Sequence, residues 1–215
     1  MDIQNKDRMS RLLAKLEALN SQDPNQELAD GIAWPRELIY AKRLAAWVQR
    51  LEPNASEELL IASHGQHVCR WTIPRNRYEM NRKGYLRWRE DLKTFHADTV
   101  ARLMQEEGYP QKTIDHLRQI IRKRDFQDPV TQCVEDALCL VFLETQFSDL
   151  RNKTPDDKMA DILRKTWRKM SERGKQAALA LTLPVADKDF ILMQLPNQPP
   201  PQIKATDEAQ MRQEL

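Results

Sequence analysis

Apolar residues recur at three- and four-residue spacing in one segment of this chain after another, and most runs end at a proline, a glycine or an Asn/Asp-rich break. That is the period of a helix with one buried face, not the two-residue alternation of a half-buried strand. Met9, Leu12, Leu13, Leu16 and Leu19 share one side of a helix over 3–19. Leu38, Ile39, Leu44, Ala45, Trp47, Val48 and Leu51 do the same over 36–51. The pattern predicts further helices over 56–70, 84–107, 110–123, 128–150, 154–170 and 175–181. Gly108 stands where a helix C-terminus favours glycine, and Asp128-Pro129 pairs an N-cap with proline at the first helical position. The run ALCLVFL over 137–143 is apolar nearly all round, so its helix belongs in a core.

Glycine supports the same reading. The chain has five in 215 residues, whereas turn-rich β domains need many for positive φ. The expected fold is therefore all-α: seven or so helices in a compact bundle around the 129–150 segment. Residues 20–35 read as a linker, and 72–83 as an ordered loop without period. The Pro-rich stretch QLPNQPPPQ over 194–202 reads as part of an extended or disordered tail. The expected division is an amphipathic helix over 1–20, a helical domain over 35–185 and a tail over 190–215.

Composition narrows the function classes. The net charge is +2, so any preference for nucleic acid must come from local distribution. Cys69, Cys133 and Cys139 form no CxxC pair and are odd in number, which favours reduced core thiols in a cytoplasmic protein over a disulfide framework or a zinc knuckle. The first residues hold no apolar signal-peptide core, and no stretch approaches 18 uncharged apolar residues, so no membrane partner is expected. The amphipathic helix over 3–19 could pack on a second copy in a homo-oligomer.

Two constellations carry chemistry. The first is imidazole and carboxylate. His64 and His67 lie three apart on one predicted helix, and His96 lies beside Phe95 in the long one. Asp136 immediately precedes the apolar run, where a carboxylate is costly to desolvate unless it is paired or metal-bound. Glu37 and Tyr40 add an acid and a phenol at the start of the second helix. His64, His67, His96 and Asp136 turned inward would suit Mn, Fe, Mg or Zn, and such a metal can activate water and clamp a phosphate. The plainer reading makes them hydrogen-bonded core histidines and an Asp136 paired with an arginine.

The second constellation holds Arg70, Arg75, Arg77, Arg82, Lys83, Arg87 and Arg89, interleaved with Trp71, Tyr78, Tyr85 and Trp88, against Glu79 and Glu90. Guanidinium forks bind phosphate and aromatic faces stack on bases, so Arg70, Arg75, Arg77, Arg82, Tyr85 and Trp88 are candidates for a phosphorylated small molecule, a nucleotide or RNA. The plainer reading is an Arg/aromatic network that pins an irregular loop to the core.

The blocks QHVCRWTIPR (66–75), GYLRWREDLKTFHA (84–97), EDALCLVFLE (135–144) and RKTWRKMSERG (164–174) resemble a bacterial and fungal family of domains of unknown function. Some of its members carry a glutamyl-tRNA synthetase label. The absence of a Gly-rich nucleotide signature and a parallel-sheet pattern argues against that label here. More distantly, the order of residues is similar to HD-domain metal phosphohydrolases. That resemblance implies an HD-like helical bundle with a divalent metal. Gln66-His67 would stand where the His-Asp pair of those enzymes sits, His96 at a later His, Asp136 at the last Asp, and Glu37 or Tyr40 in place of the first His. The chain has no literal His-Asp dipeptide. The implied function is metal-dependent hydrolysis of a nucleotide or other phosphate ester. The alternatives are a non-catalytic RNA- or nucleotide-binding module on the 70–89 loop and an HD-like di-iron oxygenase.

Overall fold

Helical periodicity, with caps at the breaks, becomes an all-α protein carrying one short hairpin. The computed structural model describes residues 3–195. In chain order the elements are α1 (Ile3–Asn20), β1 (Gln26–Ala29), β2 (Ile32–Pro35), α2 (Arg36–Leu51), α3 (Glu57–Gly65), α4 (Arg82–Glu106), α5 (Gln111–Arg122), α6 (Pro129–Thr145), α7 (Phe147–Arg151), α8 (Asp156–Trp167), α9 (Glu172–Leu179) and α10 (Val185–Gln194). Single 3-10 turns at Arg70–Thr72 and Arg75–Arg77 link α3 to α4. No described helix is long and apolar enough to cross a membrane.

The capping chemistry behaves as its residues dictate. Asp128 accepts from the backbone N–H of Val130 and Thr131 at the head of α6, at 3.3 and 3.0 Å. Asn81 accepts from Gly84 N at 2.8 Å and starts α4 two residues earlier than the periodicity predicts. Gly108 sits at φ +76 beyond the end of α4, and Tyr109 N donates back to Met104 O at 3.0 Å.

Several expectations need correction. The 20–35 linker contains a hairpin, because Asp30-Gly31 takes positive φ at both positions and closes a two-residue turn between Ala29 and Ile32. The helix expected over 56–70 ends at Gly65, and that expected over 128–150 breaks at Gln146, where φ is −124. The tail begins later than residue 190: α10 continues to Gln194 and buries Phe190 and Ile191. The rest of the Pro-rich stretch, over 196–202, lies outside the described residues.

The described residues divide into two compact units, one up to residue 138 and one from residue 139 on; the expected domain over 35–185 runs across both. In the first, α1 packs on α2, α3 and α4, so it belongs to this unit and is not an appendage. Helix α4 packs along α5, and α3 contacts both. Leu12, Leu16, Leu44, Val48, Ile61, Met104, Leu117 and Ile120 are wholly or almost wholly buried there. In the second unit α8 packs against α7 and α10, with Phe147, Leu163 and Phe190 buried. The candidate chemistry lies in the first unit.

Candidate functional site

Two buried polar residues from the segment read as a linker set up the site. Asn20 ends α1 and is 1% exposed. Its Nδ2 donates to His64 O at 3.4 Å, and its Oδ1 accepts from Cys69 N at 3.3 Å. That clamp spans the end of α3 and the left-handed turn at Cys69, where φ is 53. Asp23 accepts from Glu37 N at 3.0 Å and so caps the start of α2. Glu37 thereby enters the unit at a fixed height.

Glu37 is 6% exposed and faces the turn. Its Oε2 lies 3.3 Å from His67 Nδ1, and its Oε1 lies 3.9 Å from Arg70 Nε. Tyr40, one helical turn on, stacks flat on the His67 ring at 4.3 Å and 11°. The His96 ring from α4 lies 5.9 Å from that of His67. His96 Nδ1 is 2.9 Å from Val68 O. A carbonyl only accepts, so His96 carries its proton on Nδ1 and presents a lone pair at Nε2.

His67, Arg70 and His96 border a cavity of about 50 Å³, also lined by Gln66, Arg89, Leu92, Lys93, Ile121 and Lys123. That is room for a few waters or one small oxyanion. Arg70 lies over the Trp88 ring, with its guanidinium carbon 4.8 Å from the centroid. Trp88 is itself fixed by donating to Ile73 O at 2.8 Å. Lys123, beyond the last turn of α5, is held by Glu135 at 2.6 Å. Lys93 pairs with Glu90, which also faces Arg122 and Arg124. Cations therefore outnumber carboxylates around the cavity.

The titration of the site follows from this layout. Burial raises the Glu37 carboxyl to about 7, with Arg70 opposing in part. Burial also holds His67 well below its ordinary range, helped by Arg70, Lys123 and Arg89. His96 is lowered to about 3, first by burial and then by His67 and Arg70, against the Val68 carbonyl. Both imidazoles are neutral near pH 7, while the Glu37–His67 pair gains or loses one proton there.

A stability prediction follows, with the sign fixed by linkage. Between about 4.5 and about 7 the folded protein keeps a proton on Glu37 that the unfolded chain has released, so this group's contribution is full below that window and is lost as pH rises through it. Compared with Glu37→Gln, the wild type should lose on the order of 2–3 kcal/mol between pH 5 and 8. Urea unfolding of both proteins at the two pH values checks it. A pH-independent difference would contradict a raised Glu37.

The other expected site residues divide plainly. His64 turns back to Leu60 O at 3.0 Å and lies 4.0 Å from Glu17, so it does not line the cavity. Asp136 is buried and accepts from Gln132 at 3.0 Å on its own helix, and it does not line the cavity either. Its neighbour Glu135 holds the cavity lysine instead, because adjacent residues on a helix face about 100° apart. Among the described residues no group of three or more His, Cys, Asp or Glu is placed to hold a metal ion. The donors that do meet stand among four cations, which repel a cation. The residues present thus do not fit the expected Mn, Fe, Mg or Zn centre.

In the loop, Arg75 donates to the carbonyls of Tyr78, Glu79 and Asn81 at 3.1, 2.6 and 3.2 Å, and Arg77 donates to Thr72 O at 3.3 Å. Those two hold the loop in shape. Arg82 and Tyr85 are exposed at the start of α4.

Sequence reasoning passed over Asn20, Asp23, Lys93, Lys123 and Glu135. Asn and Asp beside a helix end are cap signals, and that signal was present for the first two. Nothing local distinguishes the two lysines from solvated ones.

Known proteins add one finding. A family described as "Domain of unknown function (DUF4202)" has a model that matches residues 10–191. No curated protein and no solved structure matches the chain.

Proposed function

Because the chain belongs to that family, whose description carries no activity, we propose a function from the pocket itself: residues 1–138 bind the phosphoryl group of a small phosphate ester and hydrolyse it. The observation that carries this reading is the Glu37–His67 pair beside a cavity walled by Arg70, Arg89, Lys93 and Lys123. Fixed cations favour the charge on a phosphoryl group in flight, and they act more strongly in a water-poor site. A carboxyl group near neutrality, coupled to an imidazole, is matched to taking and returning a proton at working pH.

The roles divide by position. Arg70 and Arg89 bind phosphoryl oxygens, with Lys93 and Lys123 adding positive charge. His67 Nε2 accepts the proton of the attacking water as its oxygen bonds to phosphorus; the ester P–O bond breaks, and the alcohol leaves with a proton returned by the imidazolium, which the Glu37 carboxylate at Nδ1 stabilises. Tyr40 keeps the ring in plane by stacking. The cavity holds one phosphoryl group, so the remainder of a nucleotide or other ester lies outside it, towards Trp88 and Tyr85.

The RNA-binding reading of the 70–89 loop has less support, since Arg75 and Arg77 already serve the loop's own carbonyls. The metal-dependent and di-iron readings lack a donor set among the described residues.

The test is phosphate release from p-nitrophenyl phosphate and a panel of nucleoside phosphates, with and without EDTA. Release that survives EDTA and is inhibited by orthophosphate supports the reading. Failure on every ester, or complete loss in EDTA, sinks it.

A further inference from the structure

Two residues that line the cavity each carry a buried polar atom without a partner. Gln66 Nε2 and His96 Nε2 are buried without a hydrogen-bond partner. Their side chains are 5% and 2% exposed, and both line the cavity. Native proteins rarely leave such atoms orphaned, and each one calls for an explanation such as an absent ligand. An amide N–H₂ is a donor, and it suits an oxyanion at once. The His96 nitrogen does not: with its proton fixed at Nδ1 by Val68 O, Nε2 offers a lone pair. An oxygen lone pair brought against it is repelled unless a proton comes between them.

We propose that Gln66 and His96 form an oxyanion subsite that takes up one proton with its ligand, the proton going to His96 Nε2 when a dianionic tetrahedral group enters. This rests on the pocket reading above and adds the subsite's two donors, its ligand charge and its proton balance. One proton passes from solvent to Nε2, and an imidazolium N–H then donates to the bound oxygen. Apart from this transfer of H⁺ from a solvent acid to the ring nitrogen, no bond forms or breaks.

The groups facing His96 explain why the proton is absent beforehand. The turn after α3 contributes His67 and Arg70, α2 contributes Glu37, its own helix α4 contributes Arg89 and Lys93, and Lys123 stands beyond α5 with Glu135 of α6 behind it. Arg70 and His67 disfavour charge on the empty ring. A dianion reverses that balance by placing two negative charges against the same wall. Glu37 is the other group in the set that can change charge near neutrality, so the experiment separates it from His96.

The probe is inorganic sulfate, which stays dianionic across the range and brings no proton of its own. Sulfate is titrated calorimetrically into the full-length protein in two buffers of different ionisation enthalpy. The proteins are wild type, Glu37→Gln and His96→Gln, the last placing a non-titrating N–H near the position of Nε2. In wild type and Glu37→Gln the heats should differ between buffers by one proton per sulfate. Affinity should fall about tenfold per unit as pH rises from about 5 to about 6, the slope of a one-proton linkage. In His96→Gln sulfate should bind with no proton uptake. Should that variant not fold, the buffer comparison in wild type and Glu37→Gln decides alone. Proton-independent binding in wild type overturns the proposal and leaves the hydrolase reading standing. Uptake lost in Glu37→Gln, or kept in His96→Gln, also overturns it. No sulfate binding at all removes both.

Discussion

His67→Ala is expected to lower phosphate-ester hydrolysis by about 10²–10⁴-fold, the usual size of a general acid–base contribution. The imidazole is placed for that role by three independent contacts: Glu37 at Nδ1, the Tyr40 ring against its face, and His96 alongside. Alanine removes the base and leaves Arg70 and Arg89 in place, so substrate affinity should change far less than turnover. Glu37→Gln should act in the same direction by removing the charge that stabilises the imidazolium. His64→Ala is the control, because His64 contacts Leu60 O and Glu17 and stands outside the cavity. Steady-state phosphate release from the three variants decides the matter. Equal losses in His64→Ala and His67→Ala would mean that imidazole removal acts through the fold.

The second large effect is expected at Gly65. This residue closes α3 immediately before Gln66 and His67, and a Cβ there would stand 2.5 Å from Val100 Cγ2 and 3.6 Å from Ile121 Cδ1. Val100 is β-branched, fully buried and in the middle of α4, so it has no free rotamer to retreat into. The glycine thus allows α3 to approach α4 and α5 closely enough for His67 to meet His96. Gly65→Ala should cost roughly 1–3 kcal/mol through overpacking, read as a lower urea midpoint. Relaxation by separating the helices should also weaken sulfate binding in whatever protein remains folded. Gly65→Ala with Val100→Ala should recover much of both losses, since the second change vacates the contested space. A wild-type midpoint for Gly65→Ala alone would contradict this packing.

How much was legible in the sequence depends on range. The helices follow from apolar spacing and caps, which are local, so α1, α2, α4, α5 and α8 lie close to their expected bounds. The Asp30-Gly31 hairpin was also local, but its strands of four residues are too short to show alternation. His67, His96, Glu37 and Arg70 were named from residue type and Gln66 from the HD-domain resemblance; folding puts Gln66, His67, Arg70 and His96 on one cavity, with Glu37 against His67. His64 and Asp136 were not gathered, for a geometric reason. A three-residue spacing shares a face only while the helix continues, and α3 stops at Gly65 between His64 and His67. The choice between Asp136 and Glu135 turns on helix rotation, which neighbouring apolar residues on every side do not fix. Lys93 and Lys123 became site residues only through tertiary placement. The family match over 10–191 bears out the resemblance carried by the four sequence blocks and adds no chemistry to it.

The central claim is that one oxyanion pocket joins His67 and His96 and excludes the other histidines. Side-chain nitrogen NMR of the four histidines during an orthophosphate titration tests it most directly. Without phosphate, His67 and His96 should show neutral rings near pH 7, with the His96 proton on Nδ1. On titration the resonances of His67 and His96 should move together and saturate, while those of His64 and His116 stay still. Four unmoved histidines, or four that drift alike without saturation, would contradict the account.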